Sequence, residues 1–201
     1  MGMMTVGLVI FDGFTDIDLF LHWDLLNRPV TMFPDLVPGG WSVKILGTAS
    51  MHVSAAGLET KTHGLIGEAR GCDAVIHVSG PMTRKLMKDT EYLETLALDP
   101  ARQLVGSQCS GALILAASGF LTGRTATTYP TAVGHLRDFG AVPVEEPFVL
   151  HDGDNIATAA GCLAGVDLSR WILTRLIDAE AADRCIASAS AIGEGLNFPK
   201  P

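Results

Sequence analysis

No apolar run in this sequence approaches the roughly 18–20 residues that a membrane-spanning helix requires. The longest, Ala112 to Leu121, is broken by Ser118-Gly119. The opening MGMMTVGLVIF has no basic residue ahead of its apolar stretch, and Asp12, Asp16 and Asp18 follow at once. Neither a secretory leader nor a membrane location is expected from such a start. Basic clusters are also missing. With 14 Lys and Arg against 22 Asp and Glu, the formal charge is -8, which disfavours nucleic acid as a direct partner. Four cysteines, Cys72, Cys109, Cys162 and Cys185, form no C-x-x-C pair, and none stands at metal-ligand spacing with a histidine. No metal centre of the zinc-ribbon or thioredoxin-like kind is expected from them. The compartment implied is the cytosol, where thiols stay reduced. G-x-G-x-x-G, G-x-x-x-x-G-K-[ST] and H-E-x-x-H are absent too, so dinucleotide, P-loop and zincin chemistry lose their main supports.

What remains is an apolar chain of 201 residues, 48% hydrophobic and 18% charged, ample for one domain over 1–201. Thr5–Phe11, Asp73–Val78 and Arg102–Gln108 are short, nearly continuous apolar runs, as expected of strands buried on both faces. Helical spacing marks Asp16–Leu26, Thr83–Leu98, Ser110–Ala117, Gly161–Ile177 and Ala179–Ala191. Arg28–Gly40, with three prolines, reads as a surface loop. Modest strands are expected at Trp41–Leu46 and Gly57–Thr62. Short ones follow at Thr125–Thr128, Val142–Val144, Phe148–His151 and Asn155–Thr158, the last two joined in hairpin style. This alternation predicts an α/β fold: a doubly wound, mostly parallel sheet with helices on both faces.

A substrate of such a sheet binds beyond the carboxyl ends of the strands. One strand end is chemically distinctive there. In Gly106-Ser107-Gln108-Cys109-Ser110-Gly111 a cysteine lies where a strand gives way to an apolar helix, flanked by small residues. The spacing matches the G-x-S-x-G elbow with sulfur in place of oxygen. A helix N-terminus behind Cys109 predicts a lowered thiol pKa and offers N–H groups to a developing anion. The other three cysteines read as packing residues. Asp24 reads as a cap or ion-pair partner, and His52, His63, His135 and His151 as surface or satisfied polar residues.

The segment SQCSGALILAASGFLTGRTATTYP resembles the cysteine elbow of the DJ-1/PfpI (ThiJ) superfamily, relatives of class I glutamine amidotransferases with a flavodoxin-like fold. The opening VGLVIFDGFTDIDLFLHWDLL, the strand CDAVIHVSGP and the late IATAAGCLAGVDLSRWILTRLID agree with it. Within the superfamily the chain is most similar to the isocyanide (isonitrile) hydratase branch. The resemblance implies that Cys109 is the nucleophile and Asp18 the carboxylic acid beside it. It also implies that Ser110 and Gly80 supply the anion-binding N–H groups. Two positions depart from the family pattern: Ser79 replaces the first glycine of a P-G-G turn, and Tyr129 stands where histidine is frequent. His22, one helical turn beyond Asp18, is a further accessory candidate.

A thiol and a carboxyl group without a histidine base suit addition of sulfur to an electrophilic carbon with proton delivery by Asp18. With that chemistry, the resemblance implies a lyase-type hydratase that converts an isonitrile to an N-substituted formamide without a cofactor. Glyoxalase-like chemistry on 2-oxoaldehydes is the alternative within enzymes. A non-catalytic redox or stress sensor acting through Cys109 is the alternative outside them. The resemblance also implies a homodimer. Phe20, His22, Trp23 and Leu26 on the first helix are its expected contact surface, unless Met32, Phe33 and Leu36 fold back over them.

Overall fold

The computed structural model describes residues 2–197. In chain order the strands and helices begin with β1 (Met4–Val9), α1 (Asp16–Thr31), β2 (Trp41–Gly47), β3 (Met51–Val53), β4 (Glu59–Lys61), β5 (Gly64–Leu65) and β6 (Ala74–His77). They continue with α2 (Thr83–Leu86), α3 (Thr90–Leu96), β7 (Leu104–Gln108), α4 (Ala112–Ala117), β8 (Thr125–Ala126), α5 (Val133–Asp138) and β9 (Val142–Pro143). The last are β10 (Phe148–His151), β11 (Ile156–Ala159), α6 (Gly165–Leu176) and α7 (Ala179–Ala187).

Seven strands form the main sheet in the order β10-β11-β7-β6-β1-β2-β5. All neighbours run parallel except β10, which returns antiparallel on β11 through a tight turn. Two cores sandwich this sheet, because alternate strand residues point to opposite faces. Val6, Leu8, Ile45 and Ile76 meet α1, α6 and α7 through Leu19, Leu25, Leu168, Ile172 and Ile186. Val9, Leu46, Val75 and Val105 meet α3 and α4 through Leu96, Leu113 and Leu115. Each fully buried Leu or Ile contributes about 1.5–3 kcal/mol relative to exposure. The expected α/β architecture with helices on both faces is the one observed.

Several local expectations change. The first helix does not stop near Leu26 but runs through Pro29 to Thr31. Side chains cover carbonyls along this last stretch: Trp41 Nε1 donates to Leu26 O at 2.6 Å, Asn27 Nδ2 to Trp23 O, and Thr31 Oγ1 to Asn27 O. The helix expected over Thr83–Leu98 is broken at Met87–Asp89, because the Asp89 carboxylate caps a new helix by accepting from Tyr92 N. The expected contact face on α1 is largely internal. His22 and Leu26 are fully buried, Trp23 stacks on His63 at 5.3 Å, and Phe33 and Leu36 pack against the same core. Only Phe20 of the four reaches 37% exposure, while Met32 points outward. No helix among the described residues is long and apolar enough to cross a membrane.

Candidate active site

The order in which successive parallel strands are added reverses at β1, which neighbours β2 on one side and β6 on the other. The carboxyl ends of β1, β6, β7 and β11 therefore open into one crevice, the usual ligand position of a doubly wound sheet. At the end of β7, Cys109 has φ 48, a left-handed conformation that few side chains adopt. The strain, of order 1–3 kcal/mol, is held by close packing. A Cβ on Gly111 would lie 2.3 Å from His77 O, and one on Gly106 would lie 2.8 Å from Leu168 Cδ1. Gly111 is thus required by backbone approach, whereas at Gly106 a Cβ would displace the end of the Leu168 side chain.

Asp18 comes from the first turn of α1. The buried positions of this helix, Asp18, Leu19, His22, Leu25, Leu26 and Pro29, fall on one helical face. Asp18 and His22 thus occupy core-facing places that pattern alone would give to hydrophobes. Asp18 is fully buried, and neither carboxylate oxygen has a hydrogen-bond partner among the described residues. An Asp18 oxygen, Cys109 Sγ and Cys162 Sγ all lie within 4.8 Å of one another. Cys162, expected from sequence to be a packing residue, is half-buried and lies in this cluster. Cys72 and Cys185 are buried, as expected.

The electrostatics correct a second expectation. Burial pushes the Cys109 thiol up to about 12, and the Asp18 carboxylate adds to the rise. The Gln108 amide and the Gly161 backbone oppose it. Helix α4, at six residues, has too small a dipole to outweigh desolvation of a residue only 2% exposed. Cys162 is also raised, by burial first and then by Asp18. Two adjacent acids in one dry pocket share a single negative charge more readily than they carry two.

Gln108 connects the nucleophile to its surroundings. Its Nε2 donates toward Cys109 Sγ at 3.5 Å and to Gly161 O at 3.1 Å. His22 is fully buried beside it, with Nδ1 bonded to Ser169 Oγ at 2.8 Å. Burial lowers His22 to about 4, with Gln108 opposing, so the ring is neutral at pH 7. Gly165 permits this approach, since a Cβ there would crowd His22 Cε1 at 3.0 Å and Gln108 Oε1 at 3.2 Å.

The remaining expected site residues are placed as follows. Gly80 is enforced by the Gly13 carbonyl, 2.4 Å from where its Cβ would stand. Its N–H points to Ser110 Oγ at 3.3 Å, and Thr83 Oγ1 donates to the same hydroxyl at 3.1 Å. That amide reaches a substrate anion only if Ser110 turns aside. Ser79 braces the start of α1: Ser79 Oγ donates to Thr15 Oγ1 at 3.0 Å, and Ser79 O accepts from Thr15 N. Tyr129 is 47% exposed and stands on the wall of a cavity of about 930 Å³. Thr128 and Gly161 line the same cavity, and Thr128 Oγ1 bonds Cys109 O, so the cavity abuts the elbow from the β11 side. Asp24 pairs with Arg28 at 2.6 Å, as expected.

Sequence reasoning missed Gln108, Gly161 and Cys162. Gln108 sits inside the quoted elbow, and its position next to the nucleophile was the available signal. Cys162 had none, because the turn after β11 meets the elbow only through the sheet.

The sequence profile of the DJ-1/PfpI family matches residues 4–175. Isonitrile hydratase of Pseudomonas putida is 28% identical over 180 residues, covering 89% of this chain and 75% of that protein. A ThiJ/PfpI family protein from Pseudomonas syringae superposes with a TM-score of 0.79 at 26% identity, covering 100% of this chain and 78% of the other. DJ-1 of Schizosaccharomyces pombe superposes with a TM-score of 0.76 at 18% identity, over 94% and 100% of the two chains, a likeness of fold.

Proposed function

The chain belongs to the DJ-1/PfpI family, and from that premise we propose that it hydrates a small electrophile of the isonitrile class to an N-substituted formamide. The observation that carries this reading is the buried pair of Cys109 and Asp18, with both carboxylate oxygens left without partners. The similarity to an isonitrile hydratase supports the substrate class.

A free thiolate is disfavoured in this pocket, so the proton of Cys109 passes to Asp18 as sulfur approaches the terminal carbon of R–N≡C. The carbon then takes that proton from the carboxyl group, giving the thioimidate R–N=CH–S–Cys109. Water adds to the same carbon with Asp18 as base, and nitrogen gains a proton. Collapse expels the Cys109 sulfur and releases R–NH–CHO. Gln108 Nε2 and the Gly161 backbone steady the sulfur while it carries charge. Ser110 and Gly80 are proposed to bind the substrate end of the pocket. His22 is neutral and takes no part in these proton transfers. The reaction needs no cofactor and is placed in a reducing cytosol, where all four cysteines are free thiols.

The proposal includes a homodimer. Ile17 and Phe20 on α1 are 43% and 37% exposed, apolar surface on the first helix that a partner would cover. Light scattering that returns the mass of one chain removes this part.

Initial rates on a simple isonitrile and on methylglyoxal, with Cys109→Ala as the blank, test the function. Turnover of the isonitrile supports the reading. Turnover of methylglyoxal alone transfers the pair to glyoxalase-like chemistry, and silence on both leaves the sensor reading.

A further inference from the structure

We infer that Cys109 and Cys162 form a peroxide-responsive dithiol, with Cys162 as the thiol that converts an oxidised Cys109 to a disulfide. The inference does not depend on which electrophile the reduced enzyme hydrates. Its basis is the three-atom cluster of Cys109 Sγ, Cys162 Sγ and an Asp18 oxygen, all within 4.8 Å.

A disulfide requires the sulfurs to close to about 2.05 Å, so one of them must travel up to about 3 Å. Cys109 is pinned by the elbow. Cys162 opens a short 3-10 turn, and its sulfur closes the gap by rotation of its own side chain. It follows Gly161, whose φ of 80 suits glycine and whose Cβ position is open space. It is only half-buried, and Leu163 beside it is 73% exposed.

Asp18 supplies the missing base. Its two buried oxygens are unengaged, and it is the neighbour that follows burial in setting the Cys162 thiol. In the first step Cys109 gives its proton to Asp18 as its sulfur attacks the terminal oxygen of ROOH, and that proton is the one the departing alkoxide collects. The O–O bond breaks, alkoxide leaves and takes up a proton as ROH, and sulfur becomes the sulfenic acid. In the second step Cys162 gives its proton to Asp18 and its sulfur attacks Cys109 Sγ. The S–O bond breaks, and hydroxide departs with that proton as water. Two thiols and ROOH thus become a disulfide, ROH and water. An external dithiol reverses the change. While the disulfide stands, Cys109 is unavailable as a nucleophile, so hydration is switched off and spared from irreversible oxidation.

The test treats the full-length protein with hydrogen peroxide, blocks free thiols with N-ethylmaleimide, and reads intact and peptide masses. Expected is a loss of two hydrogen atoms, a cross-linked peptide pair containing Cys109 and Cys162, and full reversal by dithiothreitol. Cys162→Ser and, as a second packing-neutral variant, Cys162→Ala should instead collect oxygen atoms on Cys109. A wild-type protein that accumulates the Cys109 sulfinic acid with no cross-link overturns the inference, and it does so whether or not the reduced protein turns over an isonitrile. A cross-link in a protein inert toward isonitriles upholds the inference and removes only the hydratase reading.

Discussion

His22 and His77 are both sealed from water, and burial lowers each to about 4. Their surroundings differ. His77 has both ring nitrogens engaged, Nδ1 donating to Val78 O at 2.9 Å and Nε2 bonded to Tyr92 Oη at 2.8 Å, with Phe11 stacked at 5.5 Å. His22 engages only Nδ1, and its Nε2 has no partner among the described residues. The contrast extends outward. Around His77, the polar groups of Gly80, Thr83 and Ser110 close on one another, and of the buried groups beside it on the sheet Ser107 Oγ alone has no partner among the described residues. Around His22, both Asp18 oxygens and Gln108 Oε1 are unpartnered. Burying polar groups without partners costs free energy, so such a cluster is tolerated where it does something. The His77 flank of the elbow is thus the better satisfied, and the other is the flank proposed to carry the chemistry.

The largest expected effect separates the two flanks outright. Cys109→Ala should lower turnover by about three orders of magnitude or more while the melting transition persists, and Cys109→Ser should leave at most a trace, since its hydroxyl does not ionise near neutral pH. Substantial activity in either would remove the nucleophile. On the His77 flank the effect should fall on stability. Tyr92→Phe leaves His77 Nε2 buried without its partner and should cost about 1–3 kcal/mol in a urea titration, with little change in rate.

Acid should weaken the fold through both histidines. Each stays neutral in the folded chain down to about 4, whereas the unfolded chain takes up the proton near 6.5. The stability they contribute is complete above about 6.5 and is lost as pH falls toward about 4, on the order of 3 kcal/mol for each. Urea midpoints between pH 7 and pH 4.5 should therefore drop less in His22→Gln than in the wild type. An equal drop would contradict the neutral, buried assignment of His22. The smallest effect concerns the elbow itself. At φ 48, Cys109→Gly should be about 1 kcal/mol more stable than Cys109→Ala, because glycine enters the left-handed region without strain.

The sheet was legible because its strands, such as Thr5–Phe11 and Asp73–Val78, are too apolar to face water on either side. The elbow was legible because a cysteine among small residues marks a strand-to-helix corner. Asp18 came from resemblance, since a lone acid on a helix has many uses. The course of α1 through Pro29 was not legible. Proline reads as a breaker, and the side chains of Trp41 and Asn27 that cover nearby carbonyls come into view only in three dimensions. The raised thiol was missed for a related reason. A helix N-terminus can be read from sequence, but the depth at which it is buried cannot.

The division between the flanks rests most on Asp18, and Asp18→Asn tests it in one preparation by three readings: turnover, melting temperature and the rate of Cys109 alkylation. The account predicts a rate loss of about a hundredfold or more with an unchanged melting temperature, because neither oxygen of Asp18 holds the fold together. Alkylation of Cys109 should accelerate, because the carboxylate that opposes its thiolate is gone. Near-normal turnover, or a fold that melts early while alkylation stays slow, would contradict it.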